Sequence, residues 1–268
     1  MLEAKNGRLL LDGDSGGMSY VRFGGGEKTL VMIPGVGDGL KTVRGMALPF
    51  ALMYRGLAKE FTVYLFSRRD DLRPDTGTRE MAEDLNRALD LLGVEKASVV
   101  GVSQGGMIAE WLALDHPDKI EKLVPVVTLC RPNPTVRDVI ARWLEMAERG
   151  DYRGILIDTA ERSYSPRYLN KVRASFGVLG SFGKPKSFER FVIQAKSCLT
   201  HDTYGELPRV ACPTLVIGGS DDRIVTAEAS REIADRIPGS ELFLYDGLGH
   251  GLYEEAPDFW ERVAAFCR

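Results

Sequence analysis

The chain has 268 residues, 44% of them hydrophobic and 27% charged, enough to build one large domain around a substantial core. Lys and Arg total 35 against 38 Asp and Glu, a formal net charge of −3, and no basic stripe is present, so the electrostatic footprint of a nucleic-acid binder is missing. No stretch reaches the roughly 20 apolar residues that span a bilayer, and Met1 to Arg8 lacks an apolar signal core, so a soluble cytoplasmic protein with no membrane partner is expected.

Two β-like runs, Arg8 to Leu11 and Met18 to Phe23, flank Gly13, Gly16 and Gly17 as in a hairpin. Short runs rich in Val, Ile, Leu and Phe follow: Thr29 to Ile33, Phe61 to Phe66, Ala97 to Val102, Leu123 to Leu129, Thr214 to Ile217 and Glu241 to Tyr245. Runs of this kind are the signature of strands buried on both faces. Helical patterns separate most of them: Leu48 to Lys59, Thr78 to Leu92, Ser103 to Asp115, Ala227 to Arg236 and Pro257 to Phe266. Strand alternating with helix predicts an α/β domain, a mostly parallel sheet with helices on both faces.

The interval from Arg131 to about Leu207 breaks the alternation, opening with Pro132 and Pro134 and closing with Pro208 and Pro213. Within it, Val136 to Arg149 sets Val139, Ile140, Trp143, Leu144 and Ala147 on one helical face, and Phe176, Phe182, Phe188 and Phe191 follow. The expected organisation is a core of residues 1–130 and 208–268 with a helical cap at 131–207. The cap aromatics are candidates for a pocket wall, although plain packing is the commoner use of such a stripe.

Cys130, Cys198, Cys212 and Cys267 are scattered without C-x-x-C spacing, so neither a zinc site nor a disulfide frame is indicated. His116, in Asp115-His116-Pro117, reads as the cap of the helix that the proline ends. His201 has no assignment, which leaves His250.

Ser103 sits in Gly101-Val102-Ser103-Gln104-Gly105, between the apolar run ending at Val102 and the helical stretch Met107 to Leu114. A strand-to-helix turn this sharp forces its central residue into a strained conformation and leaves no room for flanking side chains, hence the glycines. The hydroxyl is pushed outward beside the first amides of a helix, which stabilise developing negative charge. A serine needs a base to become a nucleophile, usually an imidazole held by a carboxylate. Gly218-Gly219-Ser220-Asp221-Asp222-Arg223-Ile224-Val225 places an aspartate after one buried strand, and Asp246-Gly247-Leu248-Gly249-His250-Gly251 places a glycine-bracketed histidine after the last. Serine, aspartate and histidine thus arrive at the carboxyl edge of one sheet, where parallel sheets bind their ligands.

In these features the chain resembles the α/β-hydrolase superfamily, over nearly its whole length. The shared features are the elbow, the order Ser, Asp, His, the turn Pro34-Gly35-Val36-Gly37, and the terminal Gly-His followed by Glu254, Glu255 and Pro257. The resemblance implies Ser103 as nucleophile, His250 as base and Asp222 as the residue that orients it. Asp222 is preferred to Asp221 because Asp-x-Ile-Val is how the family's acid is commonly followed, although Thr226 stands where proline is frequent. The two oxyanion-hole amides map to Val36 and Gln104, with Pro34 replacing the family's usual histidine. Asp38 reads as a turn residue or as a charge that repels carboxylate substrates. Ser67-Arg68-Arg69-Asp70-Asp71 departs from the family's glycine-rich pattern and reads as solvated charges, with a substrate-anion contact as the alternative.

The implied activity is hydrolysis of a small ester, lactone or similar acyl compound through an acyl-enzyme, needing no metal or organic cofactor. Carbon–carbon cleavage of a diketone is the alternative on the same residues, and a ligand-binding receptor with negligible turnover the alternative of another class. Neither the substrate nor the oligomeric state is legible.

Overall fold

In the computed structural model, which describes residues 3–13, 15–179 and 183–268, the expected hairpin is made by β1 (Ala4–Asp12) and β2 (Ser15–Phe23). They pair antiparallel from Ala4 opposite Phe23 to Asp12 opposite Ser15. Gly13 and Gly16 take φ of 70° and 68° at the turn, a region that glycine enters without steric cost. Six more strands follow: β3 (Lys28–Ile33), β4 (Phe61–Arg69), β5 (Ala97–Val102), β6 (Ile120–Val126), β7 (Leu215–Gly219) and β8 (Glu241–Tyr245). They form one sheet in the order β1-β2-β4-β3-β5-β6-β7-β8. β2 meets β4 antiparallel, and every pairing from β4 through β8 is parallel.

The sheet is buried on both faces because its strands are apolar at odd and even positions alike. Val31, Ile33 and Val99 face one core with Leu85 and Leu89 of α2 (Thr78–Leu91), Ile108 and Leu112 of α3 (Gln104–Asp115) and Ile233 of α8 (Ala227–Arg236). Leu30, Met32, Val100 and Val124 face the other, with Ala51 of α1 (Ala47–Met53) and Phe259 and Val263 of α10 (Phe259–Cys267); the short α9 (Leu252–Glu255) adds Leu252. Burying a side chain such as Phe259 contributes about 2 to 3 kcal/mol.

Between β6 and β7 the chain runs through α4 (Pro134–Glu148), α5 (Tyr152–Ser163), α6 (Pro166–Leu179) and α7 (Glu189–Thr200), with no strand among the described residues of this stretch. Their starts are written in sequence: Asn133 accepts the Val136 N–H at 2.9 Å ahead of α4, and Asp151 accepts that of Gly154 at 2.8 Å ahead of α5. Val139, Ile140 and Trp143 of α4 and Phe191 and Ala195 of α7 close over Met107 and Leu129, forming a third core.

Three expectations are corrected. The helix expected over Leu48 to Lys59 ends at Met53, and after Gly56 only a 3-10 turn, Leu57–Lys59, follows. There Tyr54 turns inward to stack on Phe23 and Phe50. β6 stops at Val126 rather than Leu129, because Val127 has φ of 42°, outside any strand conformation. β8, expected to be buried on both faces, is an edge strand paired only with β7, and it leaves Glu241 and Leu242 exposed. Among the described residues no helix is long and apolar enough to cross a membrane.

Candidate active site

Ser103 occupies the corner between β5 and α3 with φ 54° and ψ −122°. This conformation costs on the order of 1 to 3 kcal/mol for a residue with a side chain and persists only where its surroundings hold it. The Ser103 N–H donates to the Val126 carbonyl at 2.9 Å, and the Thr128 hydroxyl and Gly106 N–H donate to the Ser103 carbonyl at 2.7 and 2.8 Å. The flanking glycines are needed for space: a Cβ on Gly101 would lie 2.3 Å from the Gly105 carbonyl oxygen, and one on Gly105 would lie 2.0 Å from that of Ile33. Gly35 packs directly over the serine, where an added Cβ would stand 3.2 Å from Ser103 Cβ.

Two main-chain N–H groups frame this corner. Neither Val36, in the turn after β3, nor Gln104, the first residue of α3, uses its N–H in a hydrogen bond among the described residues. The Ser103 hydroxyl is likewise without a partner there and opens into a cavity.

His250 and Asp222, 28 positions apart, meet at the ends of β8 and β7: His250 Nδ1 lies 2.8 Å from Asp222 Oδ2. The other carboxylate oxygen of Asp222 accepts the Ile224 and Val225 N–H groups at 2.8 and 3.0 Å. Burial alone pushes this carboxyl up, but the His250 charge, its hydrogen bond and the two amides outweigh burial and hold it below the usual carboxylate range. Asp221 accepts the Ser220 hydroxyl at 2.9 Å and is exposed, so the structure brings Asp222 and not Asp221 to the histidine. Thr226 takes φ of 71°, which proline, locked at roughly −65°, cannot adopt. The departure from proline is therefore imposed by the backbone.

Of the charges in the run Ser67 to Asp71, Asp70 and Asp71 are exposed as expected and Arg69 is partly so, but Arg68 is not solvated. Ser67 and Arg68 are buried, and the Arg68 guanidinium donates to the Pro34 carbonyl and to Gln104 Oε1 at 3.2 Å. It thus joins the turn that carries Val36 to the residue that follows the serine. Burial lowers Arg68 to about 10 despite the opposing pull of Asp38. Asp38, expected to be a turn residue or an exposed repelling charge, is also buried; one oxygen accepts the Arg68 N–H at 3.0 Å, Arg190 at 2.8 Å and Gln194 at 3.3 Å. The signal was in the strand period: Tyr64, Phe66 and Arg68 alternate in step, which continues the buried face of β4.

The cavity beneath Ser103 and His250 measures about 460 Å³. Trp143, Leu156, Thr159 and Ala160 of α4 and α5 line one side, and Phe50, Tyr54, Tyr253 and Trp260 line another. Among the aromatics of residues 131–207, Trp143 and Tyr164 reach the cavity, while Phe188 and Phe191 pack in the third core. Phe182 and the Phe176 side chain lie outside the described residues. The other two histidines are structural partners: His116 caps α3 and meets Glu83 at 2.7 Å, and His201 lies buried between Thr78 at 2.9 Å and Glu110 at 3.2 Å. Cys130, Cys198 and Cys267 are buried free thiols, and Cys212 is half-buried.

An open, mostly parallel sheet with a strained serine at a strand-to-helix corner defines a class of hydrolytic enzymes. The profile of the alpha/beta hydrolase family matches residues 30–263, and the chain belongs to that family. It is 28% identical over 250 residues, 87% of each chain, to a putative carbamate hydrolase, RutD, of Caulobacter sp. (strain K31). To a 2-hydroxy-6-oxononadienedioate/2-hydroxy-6-oxononatrienedioate hydrolase of a Pseudomonas species it is 26% identical over 192 residues, 69% of this chain and 68% of that one. Among solved structures it superimposes on an enol-lactonase from Burkholderia xenovorans LB400 with a TM-score of 0.82 at 20% identity, covering 97% and 99% of the two chains, a likeness of fold. The protein is an alpha/beta hydrolase enzyme.

Proposed function

We propose that the enzyme is a serine hydrolase that cleaves a small carboxylic ester, lactone or related acyl compound. The reading rests above all on the 2.8 Å contact of His250 Nδ1 with Asp222, on a ring that shares one cavity with the strained Ser103. With Nδ1–H donated to Asp222, Nε2 is the basic nitrogen and takes the Ser103 proton as Oγ attacks the substrate carbonyl. The oxyanion is stabilised by the unengaged N–H groups of Val36 and Gln104. His250 then returns the proton to the leaving group, and water, activated by the same imidazole, releases the acyl group from Ser103.

In this reading residues 131–207 form a cap over a core of residues 1–130 and 208–268, supported by the course of α4 to α7 between β6 and β7 and by the cavity wall that α4 and α5 supply. The carbamate hydrolase relative supports the acyl class, and the Pseudomonas relative supports carbon–carbon cleavage of a diketone as a second reading on the same residues. A fluorophosphonate should label Ser103, and Ser103→Ala should abolish turnover of p-nitrophenyl acetate without unfolding the protein. Undiminished turnover in that variant would sink the mechanism. A panel that sets simple esters against vinylogous diketones separates the two substrate classes.

A further inference from the structure

Glu254 is the one acidic side chain on the cavity wall that is left uncompensated among the described residues. It lies in α9, one turn of chain beyond His250, and its carboxylate accepts the Tyr164 hydroxyl at 2.6 Å. No Lys, Arg or His pairs with it among the described residues, whereas Asp38, on the same wall, meets Arg190 at 2.8 Å. The adjacent Glu255 is occupied by Ser165, through its N–H at 3.1 Å and its hydroxyl.

Around Glu254 the wall is aromatic. Phe50, Tyr54, Tyr164, Tyr253 and Trp260 line the cavity with it; Tyr54 stacks on Phe50 at 5.9 Å and meets the Trp260 edge at 4.8 Å. Glu254 lines the cavity and is solvent-accessible, and the protein packed around it raises its carboxyl above the usual range. A carboxylate without a counter-charge attracts a cation, and ring faces, which carry negative potential, add to that attraction. Lys41 also lines the cavity, but it is exposed and makes no ion pair with Glu254.

We propose that the Glu254 end of the cavity is a subsite for a cationic group, a quaternary or protonated amine carried by the substrate, a proposal that rests on the serine-hydrolase reading above. Chain geometry keeps the two ends of such a substrate close: the four-residue step from His250 to Glu254 spans at most roughly 14 Å, the reach of a small molecule.

The test compares acetylcholine with 3,3-dimethylbutyl acetate, which replaces the ammonium by an uncharged carbon of the same shape, and with an acetate ester of like length that ends in a carboxylate. The readout is the ratio of kcat/KM values, which cancels differences in the amount of active protein. The native enzyme should favour the cationic ester by about tenfold or more, and Glu254→Gln should lower that ratio by about tenfold. Equal rates for the charged and neutral pair, a preference for the anionic ester, or a ratio unchanged in Glu254→Gln would each overturn the subsite. Calorimetric binding of choline against 3,3-dimethylbutanol to the Ser103→Ala protein reads the subsite without turnover. Choline binding that is lost in the Ser103→Ala, Glu254→Gln double variant supports the subsite even if Ser103 proves inert, in which case only the hydrolase reading falls. Turnover of esters with no cation preference removes the subsite and leaves that reading standing.

Discussion

Arg68 shows how one side chain can set a geometry it does not touch directly. Its Nη2 donates to both the Pro34 carbonyl and Gln104 Oε1, so the turn that carries Val36 and the first residue of α3 keep a fixed spacing. It is a positioning residue, not a catalytic one. Arg68→Lys keeps the charge but replaces the rigid planar guanidinium that aims Nη2 at both acceptors with a mobile ammonium. On the proposed mechanism we expect it to lower kcat by roughly tenfold to a hundredfold with little change in KM, because the Val36 and Gln104 amides would act only once an oxyanion forms. A rise in KM at unchanged kcat would place Arg68 in substrate binding instead. Thr226 makes a second point at this scale: with φ of 71°, Thr226→Gly should raise stability by about 1 kcal/mol in a denaturant titration, and Thr226→Pro should lower it sharply.

Between elements, α2, α3 and the end of α7 are tied by a buried polar cluster that sequence patterning does not reveal. Glu110 of α3, fully buried, accepts the Thr203 hydroxyl at 2.5 Å and meets His201 at 3.2 Å, while the far side of the His201 ring meets Thr78 of α2 at 2.9 Å. Removing one member leaves the others unpaired out of water, which costs more than the bonds themselves contribute. Glu110→Ala should therefore destabilise the protein by about 3 kcal/mol or more, measured by urea unfolding; a change under about 1 kcal/mol would mean the cluster is hydrated or readily rearranged. A second tie runs from the end of α5 and the link after it to the His250 loop, where the Gly251 N–H donates to the Ser163 carbonyl at 2.8 Å and Tyr164 and Ser165 bond Glu254 and Glu255. Helices that wall the cavity are thus fastened to the segment that carries the histidine.

For the whole molecule, Asp222 and Glu254, two carboxylates that meet or lie near the His250 segment, bias stability in opposite directions with pH. Asp222 has a folded value below its ordinary 3.8, so its contribution is complete above that value and is lost as pH falls through the folded one. Asp222→Asn, least stable relative to the native protein at neutral pH, should recover that deficit as acid is added. Glu254 has a folded value above its ordinary 4.5, so its ionisation weakens the fold progressively as pH rises from there through the folded value. Glu254→Gln should gain in melting temperature over the native protein across that rise. Parallel melting curves for the native protein and both variants from acid to neutral pH would contradict both assignments.

Alternation of apolar runs with helical patterns and the glycines around Ser103 were legible because each reflects a local requirement: a backbone period, a turn with no room for Cβ. The identity of the histidine's partner, the burial of Arg68 and Asp38, the edge position of β8 and the aromatic wall beside Glu254 were decided only in three dimensions. Each depends on distance between segments far apart in the chain, and a linear pattern records what a residue prefers but not which distant group will be there to meet it.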